Sequence, residues 1–297
     1  MNKLKLIGLY AQLHFIVVLL GFTAIIGALI SIDAISLVWF RMFFATVGLF
    51  IFLKYKKLSV RVSSKQLLHL FSVGVLVALH WITFFHAIKV SNVSVTLGVF
   101  ASITLFTSIL EPITQKRRIF WFEVFTGLII IVGIYLIFQY EMQYVEGIIF
   151  ALLSALLNSF FVVFNRNINI KHQWHPAVVA FYEMVGGFIA ISAYYLVTQQ
   201  LKTEMLHIGW VDFGWILILS FVCTSYAFTA IVSLMRELSA YTVVLVINLE
   251  PVYGIFLAFL IFGDAETMSL GFYMGTLIIM ISVFSYPFLK RKILLNR

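Results

Sequence analysis

Almost the whole sequence consists of apolar runs of about 20 residues, separated by short polar gaps. Such a run is the length that a helix needs to cross the ~30 Å hydrocarbon core of a bilayer. With 63% hydrophobic and only 11% charged residues, the chain is too apolar for a soluble core. The runs also lack the period-two alternation of β-barrel strands. The sequence therefore predicts an all-α membrane protein.

Breaks at charged and turn-forming residues predict ten transmembrane helices. The predicted spans are 6–30, 34–53, 67–88, 93–110, 121–138, 146–164, 176–198, 212–235, 240–262 and 269–288. Lys3 and Lys5 precede the first run as they would in a signal peptide. That run is too long for one, however, and no small-residue cleavage site follows it, so it is kept as the first helix.

The basic residues predict the orientation. With a cytoplasmic N-terminus, seventeen of the twenty basic residues lie inside. They are Lys3, Lys5, Lys54, Lys56, Lys57, Arg61, Lys65, Lys116, Arg117, Arg118, Arg166, Lys171, Arg236, Lys290, Arg291, Lys292 and Arg297. Only Lys89 and Lys202 lie outside, and Arg41 lies within a span. The net charge of +8 is thus assigned to membrane orientation and not to nucleic-acid binding. We predict a multi-pass protein of the cell inner membrane with both termini in the cytoplasm.

Five helices in each half place the start of the second half on the opposite side of the membrane, so the halves form an inverted repeat. We predict two five-helix repeats, residues 1–140 and 141–297, within one integral membrane domain. Paired positions support this division. Arg41 and Glu183 are 142 residues apart, and Gly127 and Gly275 are 148 apart.

Several motifs carry a resemblance to a known family. They are Arg236, Leu238-Ser239-Ala240, Leu249-Glu250-Pro251-Val252 and Gly263-Asp264, with Lys89, Ser91 and Ser94 as first-half counterparts. Over essentially its whole length the chain resembles the ten-helix EamA-like family of the drug/metabolite transporter superfamily. It departs from the pattern at Thr104, where a counterpart of Pro251 is expected, and in lacking Gly-Glu after the fourth span. The resemblance implies a central cavity lined by the first four helices of each repeat, with the fifth and tenth peripheral.

These observations predict a secondary transporter that exports small neutral or zwitterionic metabolites such as amino acids by alternating access. Few buried charges with aromatic and amide groups suit such a substrate better than a nucleotide sugar. The alternatives are efflux of lipophilic or cationic drugs, with Glu250 as counter-charge, and a membrane-embedded enzyme. No Ser/His/Asp or Cys/His grouping supports an enzyme, and no cofactor or metal site is predicted. The expected partners are the substrate, the lipid bilayer and protons as a candidate coupling ion. Monomer and homodimer both stay open.

Polar residues inside the spans are the candidates for substrate binding or coupling, because they are costly in a membrane. They are Glu250, Asn248, Tyr253, His14, His80, Trp81, Asn158, Tyr226, Arg41 and Glu183. Glu250 lies near the predicted midplane beside Pro251, which removes a helix hydrogen bond. A packing carboxylate is the alternative. Asn248 lies about 200° from Glu250 on a regular helix, so both face one cavity only if the helix is distorted.

The other candidates carry simpler alternatives. We expect Arg41 to extend towards the membrane face more readily than to a substrate, and we expect no direct ion pair with Glu183. Each histidine is expected to be hydrogen-bonded within the bundle. Lys89 is expected to complement a helix C-terminus. Cys223, the single cysteine, is expected to be a packed core residue, and Gly271 and Gly275 to pack inside the protomer.

Overall fold

The computed structural model of the chain describes residues 3–114, 116, 121–172, 174–200, 207–235, 238 and 246–295. These residues are almost entirely helical, and no strand occurs among them. The helices are α1 (Lys3–Leu29), α2 (Ala34–Tyr55), α3 (Ser64–Val90), α4 (Val93–Phe100), α5 (Ile103–Thr114), α6 (Trp121–Tyr140), α7 (Val145–His172), α8 (Pro176–Val197), α9 (Trp210–Ser220), α10 (Ala227–Met235), α11 (Glu250–Phe262) and α12 (Leu270–Leu295). A π-helical stretch, Phe221–Tyr226, joins α9 to α10, and short 3-10 turns precede α7 and α12.

The prediction of ten membrane helices is confirmed. In the described part of the chain, eight helical segments are long and apolar enough to cross a membrane. The fourth combines α4 with α5, and the eighth combines α9, the π-helical stretch and α10. The further apolar helices α11 and α12 take the ninth and tenth positions. Residues 240–245, where the ninth span was predicted to begin, lie outside the described residues.

Helix starts follow the capping residues in the sequence. The Asp33 carboxylate accepts hydrogen bonds from the backbone N–H groups of Ile35 and Ser36 at the start of α2. Ser63 and Gln66 form a reciprocal capping box at the start of α3. The Asn92 side chain accepts from the N–H of Val95 at the start of α4. Each of these caps satisfies backbone donors that the helix itself leaves free.

Two of the membrane spans are interrupted at corresponding positions. In the first half, Ala101 and Ser102 form a turn between α4 and α5. In the second half, Asn248 and Leu249 form a turn directly before α11. The two turns are 147 residues apart, the same offset that relates Lys89 to Arg236. The first-half interruption occurs without a proline, so the absence of a proline at Thr104 does not leave that span continuous.

The packing of the helices follows the symmetry of an inverted repeat. α2 and α8 each have 22 residues, and Arg41 and Glu183 each lie seven residues after the first residue of their helix. α2 packs against α8, and α6 packs against α12. α1 packs against α11 in the same way as its counterpart α7 packs against α4 and α5. The pair α6 and α12 lies at the periphery, as expected for the fifth and tenth membrane helices.

Glycines allow the closest helix crossings. A Cβ at Gly74 on α3 would overlap the carbonyl oxygen of Glu183 on α8. A Cβ at Gly21 on α1 would lie 3.0 Å from the backbone nitrogen of Gly254 on α11. Because lipid gives helices no hydrophobic reason to associate, such close backbone packing is a main source of their attraction. Gly275 packs against Gly133 of α6, so the small-residue face of α12 lies inside the protomer as expected.

Buried hydrogen bonds connect the two halves at one membrane face. We call it the Asp33 face, and it carries the loops around residues 30–33, 91–92, 141–144 and 263–269. The Asp212 carboxylate accepts from the backbone N–H of Ser31 at 3.0 Å and from its hydroxyl. The Glu266 carboxylate accepts from the N–H groups of Val93 at 2.9 Å and Ser94 at 2.8 Å. Both carboxylates come from the second half and both sets of donors from the first.

Candidate functional site

Arg41 lies at the centre of the polar cluster within the helices. Its side chain is only 3% exposed. The guanidinium carbon lies 3.6 Å from the centroid of the Trp81 ring and 5.5 Å from that of Phe85. Nε donates a hydrogen bond to Thr224 Oγ1 at 3.0 Å, whereas Nη1 is buried without a hydrogen-bond partner. The expectation that Arg41 extends towards the membrane face is wrong, because the flat guanidinium stacks on Trp81 inside the bundle.

Thr224 reaches Arg41 from the π-helical stretch. A π-turn contains one residue more than an α-turn and is often found at functional sites. Thr224 Oγ1 donates to the carbonyl of Leu219, five residues earlier, at 2.9 Å. The Ser225 hydroxyl does the same for the carbonyl of Ser220 at 3.0 Å. These two hydroxyls satisfy carbonyls of the widened turn and leave the oxygen of Thr224 as an acceptor for Arg41.

Glu250 is the first residue of α11 and is half-buried. It lies close enough to Arg41 for the two charges to interact. No ion pair between them occurs within 4 Å in the described part of the chain, and Arg41 Nη1 remains without a partner. α11 is 13 residues long, so Glu250 lies about 18 Å from the end of α11 at the Asp33 face.

The helix break at Glu250 differs from the predicted one. Pro251 occupies the first turn of α11, where its missing N–H breaks no helix hydrogen bond. The interruption lies one step earlier, at the turn of Asn248 and Leu249. Asn248 is half-buried beside Glu250. The turn therefore separates Asn248 from the regular helix that Glu250 begins.

His80 lies beside this cluster on α3 and is 7% exposed. Its Nδ1 lies 2.8 Å from Ser154 Oγ on α7, and its ring stacks on Phe100 with 5.5 Å between centroids. Ser154 Oγ also donates to the backbone carbonyl of His80 at 3.1 Å. Arg41 is near enough to act electrostatically on His80. Asn158 is half-buried one helical turn beyond Ser154.

His14 and Tyr253 form a second polar contact, between α1 and α11. His14 Nδ1 lies 2.8 Å from Tyr253 Oη, and the rings meet edge to face. The same two helices cross closely at Gly21 and Gly254. A Cβ at Gly21 would also lie 3.4 Å from the carbonyl oxygen of Glu250, so α1 forms a wall of the region around Glu250.

Two candidates lie apart from Arg41. Glu183 is fully buried at the crossing of α8 with α3, and neither carboxylate oxygen has a hydrogen-bond partner. As expected from their predicted depths in the membrane, Glu183 and Arg41 form no ion pair among the described residues. Tyr226 is 44% exposed at the end of the π-helical stretch.

Lys89 Nζ donates to the carbonyl of Ile30 at 2.8 Å, so it complements the C-terminus of α1 as expected.

Comparison with known proteins follows the same division into halves. The sequence model of the EamA-like transporter family matches residues 9–139 and 145–286. The chain belongs to the EamA-like transporter family. One solved structure, described as "Crystal structure of protein", is similar with a TM-score of 0.63 and 14% sequence identity. The similarity covers 92% of this chain and 96% of that chain, and it supports the fold alone. Comparison with curated proteins gives no match.

Membership of the EamA-like family makes the chain a multi-pass membrane transporter of small molecules. Two family motif residues, Leu249 and Glu250, lie at the interruption before α11. Arg236, Ser239 and Ala240 of the motif lie outside the described residues.

Sequence reasoning missed Thr224 and Ser154, which hold Arg41 and His80. Both are small hydroxyl residues within apolar runs, where they resemble ordinary packing residues. The π-helical stretch that turns Thr224 towards Arg41 leaves no local sequence signal. Cys223, predicted as a core residue, is buried and lies within electrostatic reach of Arg41.

Proposed function

We propose that this chain is a secondary transporter that exports small zwitterionic metabolites such as amino acids by alternating access. Arg41 binds the substrate carboxylate, and Glu250 binds its ammonium group. The observation that carries the proposal is the free Nη1 of a buried arginine that is electrostatically linked to a carboxylate without contacting it.

The chemistry of the two groups defines the substrate. A guanidinium is a planar donor that recognises carboxylates through paired hydrogen bonds. The Nη1 group of Arg41 is buried and unsatisfied, and such a group favours a ligand that supplies an acceptor. A zwitterion supplies an acceptor to Arg41 and a cation to Glu250 at the same time. It therefore adds no net charge to a site inside the membrane.

The surrounding side chains suit a small substrate. The Trp81 ring stacks on the guanidinium, the Phe85 ring lies 5.5 Å from it, and Thr224 fixes its Nε. Because these contacts fix the orientation of Arg41, its free Nη1 points in a set direction before substrate binds. Preorganisation of this kind lowers the cost of ordering the site on binding.

The position of the site between the halves supports alternating access. Arg41 and Trp81 belong to the first half, whereas Thr224 and Glu250 belong to the second. Transporters with inverted repeats place substrate near the bilayer midplane at the repeat interface, where helices are interrupted. A rocking of the halves would expose this site first to one side and then to the other.

Counterflow into liposomes tests the proposal. Liposomes that contain the purified protein are loaded with one unlabelled amino acid at a time from a panel. Uptake of the same amino acid in labelled form is then measured without nucleotide. Arg41→Lys keeps the charge but loses the planar fork, so we expect transport to fall at least about tenfold. Arg61→Gln, at an exposed loop position, is the matched control and should transport as the wild type does.

The same assay separates the alternative substrates. Lipophilic quaternary ammonium cations also fit a carboxylate with aromatic walls, but the fixed positive charge of Arg41 opposes them. Counterflow of such cations in preference to every amino acid would replace the proposal by drug efflux. A chemical change in the substrate, detected by mass spectrometry, would replace it by an enzyme.

A further inference from the structure

Glu183 is a buried acid that the proposed substrate site does not use. Its side chain has no exposed surface, and neither carboxylate oxygen has a hydrogen-bond partner. Asn165 on α7 is the side chain that interacts with it. The Oδ1 atom of Asn165 is also buried without a hydrogen-bond partner. Glu183 is therefore a fully buried carboxyl group whose two oxygens have no hydrogen-bond partner within the geometric limits, with the Asn165 amide as its described neighbour.

A proton satisfies this arrangement. An ionised carboxylate at Glu183 would have lost its water without gaining a donor, which is among the costliest situations in a protein interior. A protonated carboxyl group carries an O–H that can donate to Asn165 Oδ1, while its carbonyl oxygen can accept from the Asn165 amide N–H. One proton thus removes the uncompensated charge and gives Asn165 Oδ1 a donor.

No positively charged side chain among the described residues pairs with Glu183 in place of a proton. Helices α2, α3 and α10 pack against α8. Arg41 on α2 contacts Trp81 and Thr224, and His80 on α3 contacts Ser154. The remaining ionisable groups on α2 and α3 are Lys54, Tyr55, Lys65 and His69, which are exposed, His86, which pairs with Glu146 of α7, and Lys89, which donates to Ile30. α10 has no ionisable residue. On α8 itself, Tyr194 is exposed, Tyr182 donates to the carbonyl of Val60, and Tyr195 contacts Ser36. The side chains of Arg166, Lys171 and His172 on α7 lie outside the described part.

Glu183 also lies where the two halves meet. α3 belongs to the first half and α8 to the second, and their backbones touch at Gly74 and the carbonyl oxygen of Glu183. A Cβ at Gly187, one turn further along α8, would lie 2.7 Å from the carbonyl oxygen of Gly74. Any rocking of the halves must change this contact. Hydration of Glu183 is therefore linked to the conformation of the transporter.

We propose that Glu183 and Asn165 form the proton-binding site of this transporter, separate from its substrate site. In the conformation described here the carboxyl group holds one proton and shares it with Asn165. When α3 and α8 move apart, water reaches Glu183, the O–H bond breaks, and the proton leaves to that side of the membrane. The cycle moves one proton per conformational exchange. The inference rests on the transport function proposed above but not on the identity of the substrate.

Infrared spectroscopy of the full-length protein tests the protonation directly. Wild-type protein should show the carbonyl band of a protonated carboxyl group, sensitive to exchange of water for D₂O. Glu183→Gln should remove that band, and Asn165→Leu should shift it because the hydrogen bond is lost. Glu141→Gln is the matched control. Glu141 is also a buried carboxyl, 2% exposed, but it accepts from Ser269 N–H and Gln143 Nε2, so the band should persist.

Liposomes containing a trapped pH-sensitive dye test the coupling. In the wild type, a gradient of the amino acid with the largest counterflow should change the internal pH. In Glu183→Gln the pH change should fall at least about tenfold, because glutamine cannot take up and release a proton and the coupling between proton and substrate is lost. Substrate counterflow should continue, because exchange needs no net proton movement.

The outcomes separate the two proposals. An unchanged infrared band in Glu183→Gln, or an unchanged pH signal, would overturn the proton site. Wild-type counterflow without any pH change would overturn it as well and would leave the proposed function intact. Absence of counterflow for every amino acid would overturn the proposed substrate class, while the infrared band would still decide whether Glu183 holds a proton.

Discussion

Glu250 has the position of a group that binds substrate charge. It begins α11 beside the turn at Asn248 and lies within electrostatic reach of Arg41. Glu250→Gln keeps the size of the side chain and removes its charge. We expect a loss of at least about tenfold in zwitterion counterflow, equivalent to about 1.4 kcal/mol. Glu250→Asp, which keeps the charge on a shorter side chain, should lose less.

The measurement is counterflow across a pH series, with chromatography to check folding. Arg61→Gln, at an exposed loop position, serves again as control. Unchanged rate, selectivity and pH dependence in folded Glu250→Gln would refute a role in transport. A variant that is mainly unstable would support the packing interpretation instead.

Sequence reasoning singled out the charged candidate residues but not the side chains that contact them. Arg41 and Glu250 stand out because charged residues are rare within membrane spans. Their surroundings do not stand out. The stacking of Arg41 on Trp81 and its bond to Thr224 depend on how three helices are rotated against one another. Rotation is set by packing between distant segments, which a single sequence does not display, and so the predicted extension of Arg41 towards the membrane face was wrong.

At the scale of helices, the crossing of α3 and α8 is the most restrictive contact. A methyl group at Gly74 meets backbone atoms of α8, which cannot move as a flexible side chain can. Gly74→Ala should therefore destabilise the protein by about 1–3 kcal/mol, the usual cost of overpacking. Gly214→Ala on α9 is the matched control, since nothing lies within 4 Å of its Cβ. It should be neutral or stabilise by up to about 1 kcal/mol.

Thermal unfolding of detergent-solubilised protein measures both glycine variants. Equal melting temperatures for Gly74→Ala and the wild type would show that α3 and α8 can separate without cost. In that case Glu183 would no longer lie at a tightly fixed interface.

Helix number and ends were predictable because apolar length and capping residues act locally. The interruption between α4 and α5 was not. Its turn at Ala101 and Ser102 contains neither proline nor glycine, and it forms in a run whose residues suit a continuous helix. Its likeness to the turn at Asn248 indicates that the interruption belongs to the repeat rather than to any single residue.

For the whole molecule, the orientation in the membrane stays a prediction from the charge distribution. In a Cys223→Ala background, a cysteine at Gln143 should react with an impermeant thiol reagent from outside the cell. Both Gln143 and Lys56 are exposed. A cysteine at Lys56 should react only after the membrane is made permeable. Lys56 is preferable to Lys57, whose φ of 51° suits few side chains. The reverse labelling pattern would place the Asp33 face in the cytoplasm.

The Asp33 face is also where the halves are fastened. Asp212 and Glu266 each accept backbone hydrogen bonds from the opposite half, and His86 lies 3.2 Å from Glu146. Since these bonds cross the interface between halves, they must break when the site opens to this side. We therefore expect the Asp33 face to be closed in the conformation described here.

Joining the halves at this face should stop the cycle. With cysteines at Ser31 and Asp212 and Cys223→Ala, a short bifunctional thiol reagent should reduce counterflow at least about tenfold, because the halves can no longer rock apart. The single-cysteine variants, treated with the same reagent, show whether modification alone has an effect. The cross-linked protein should still bind substrate from the opposite side. The measurement is the rise in its melting temperature on addition of the substrate. Full counterflow after complete cross-linking would mean that access to the site does not require separation of Ser31 from Asp212, and the halves would then move about a different contact.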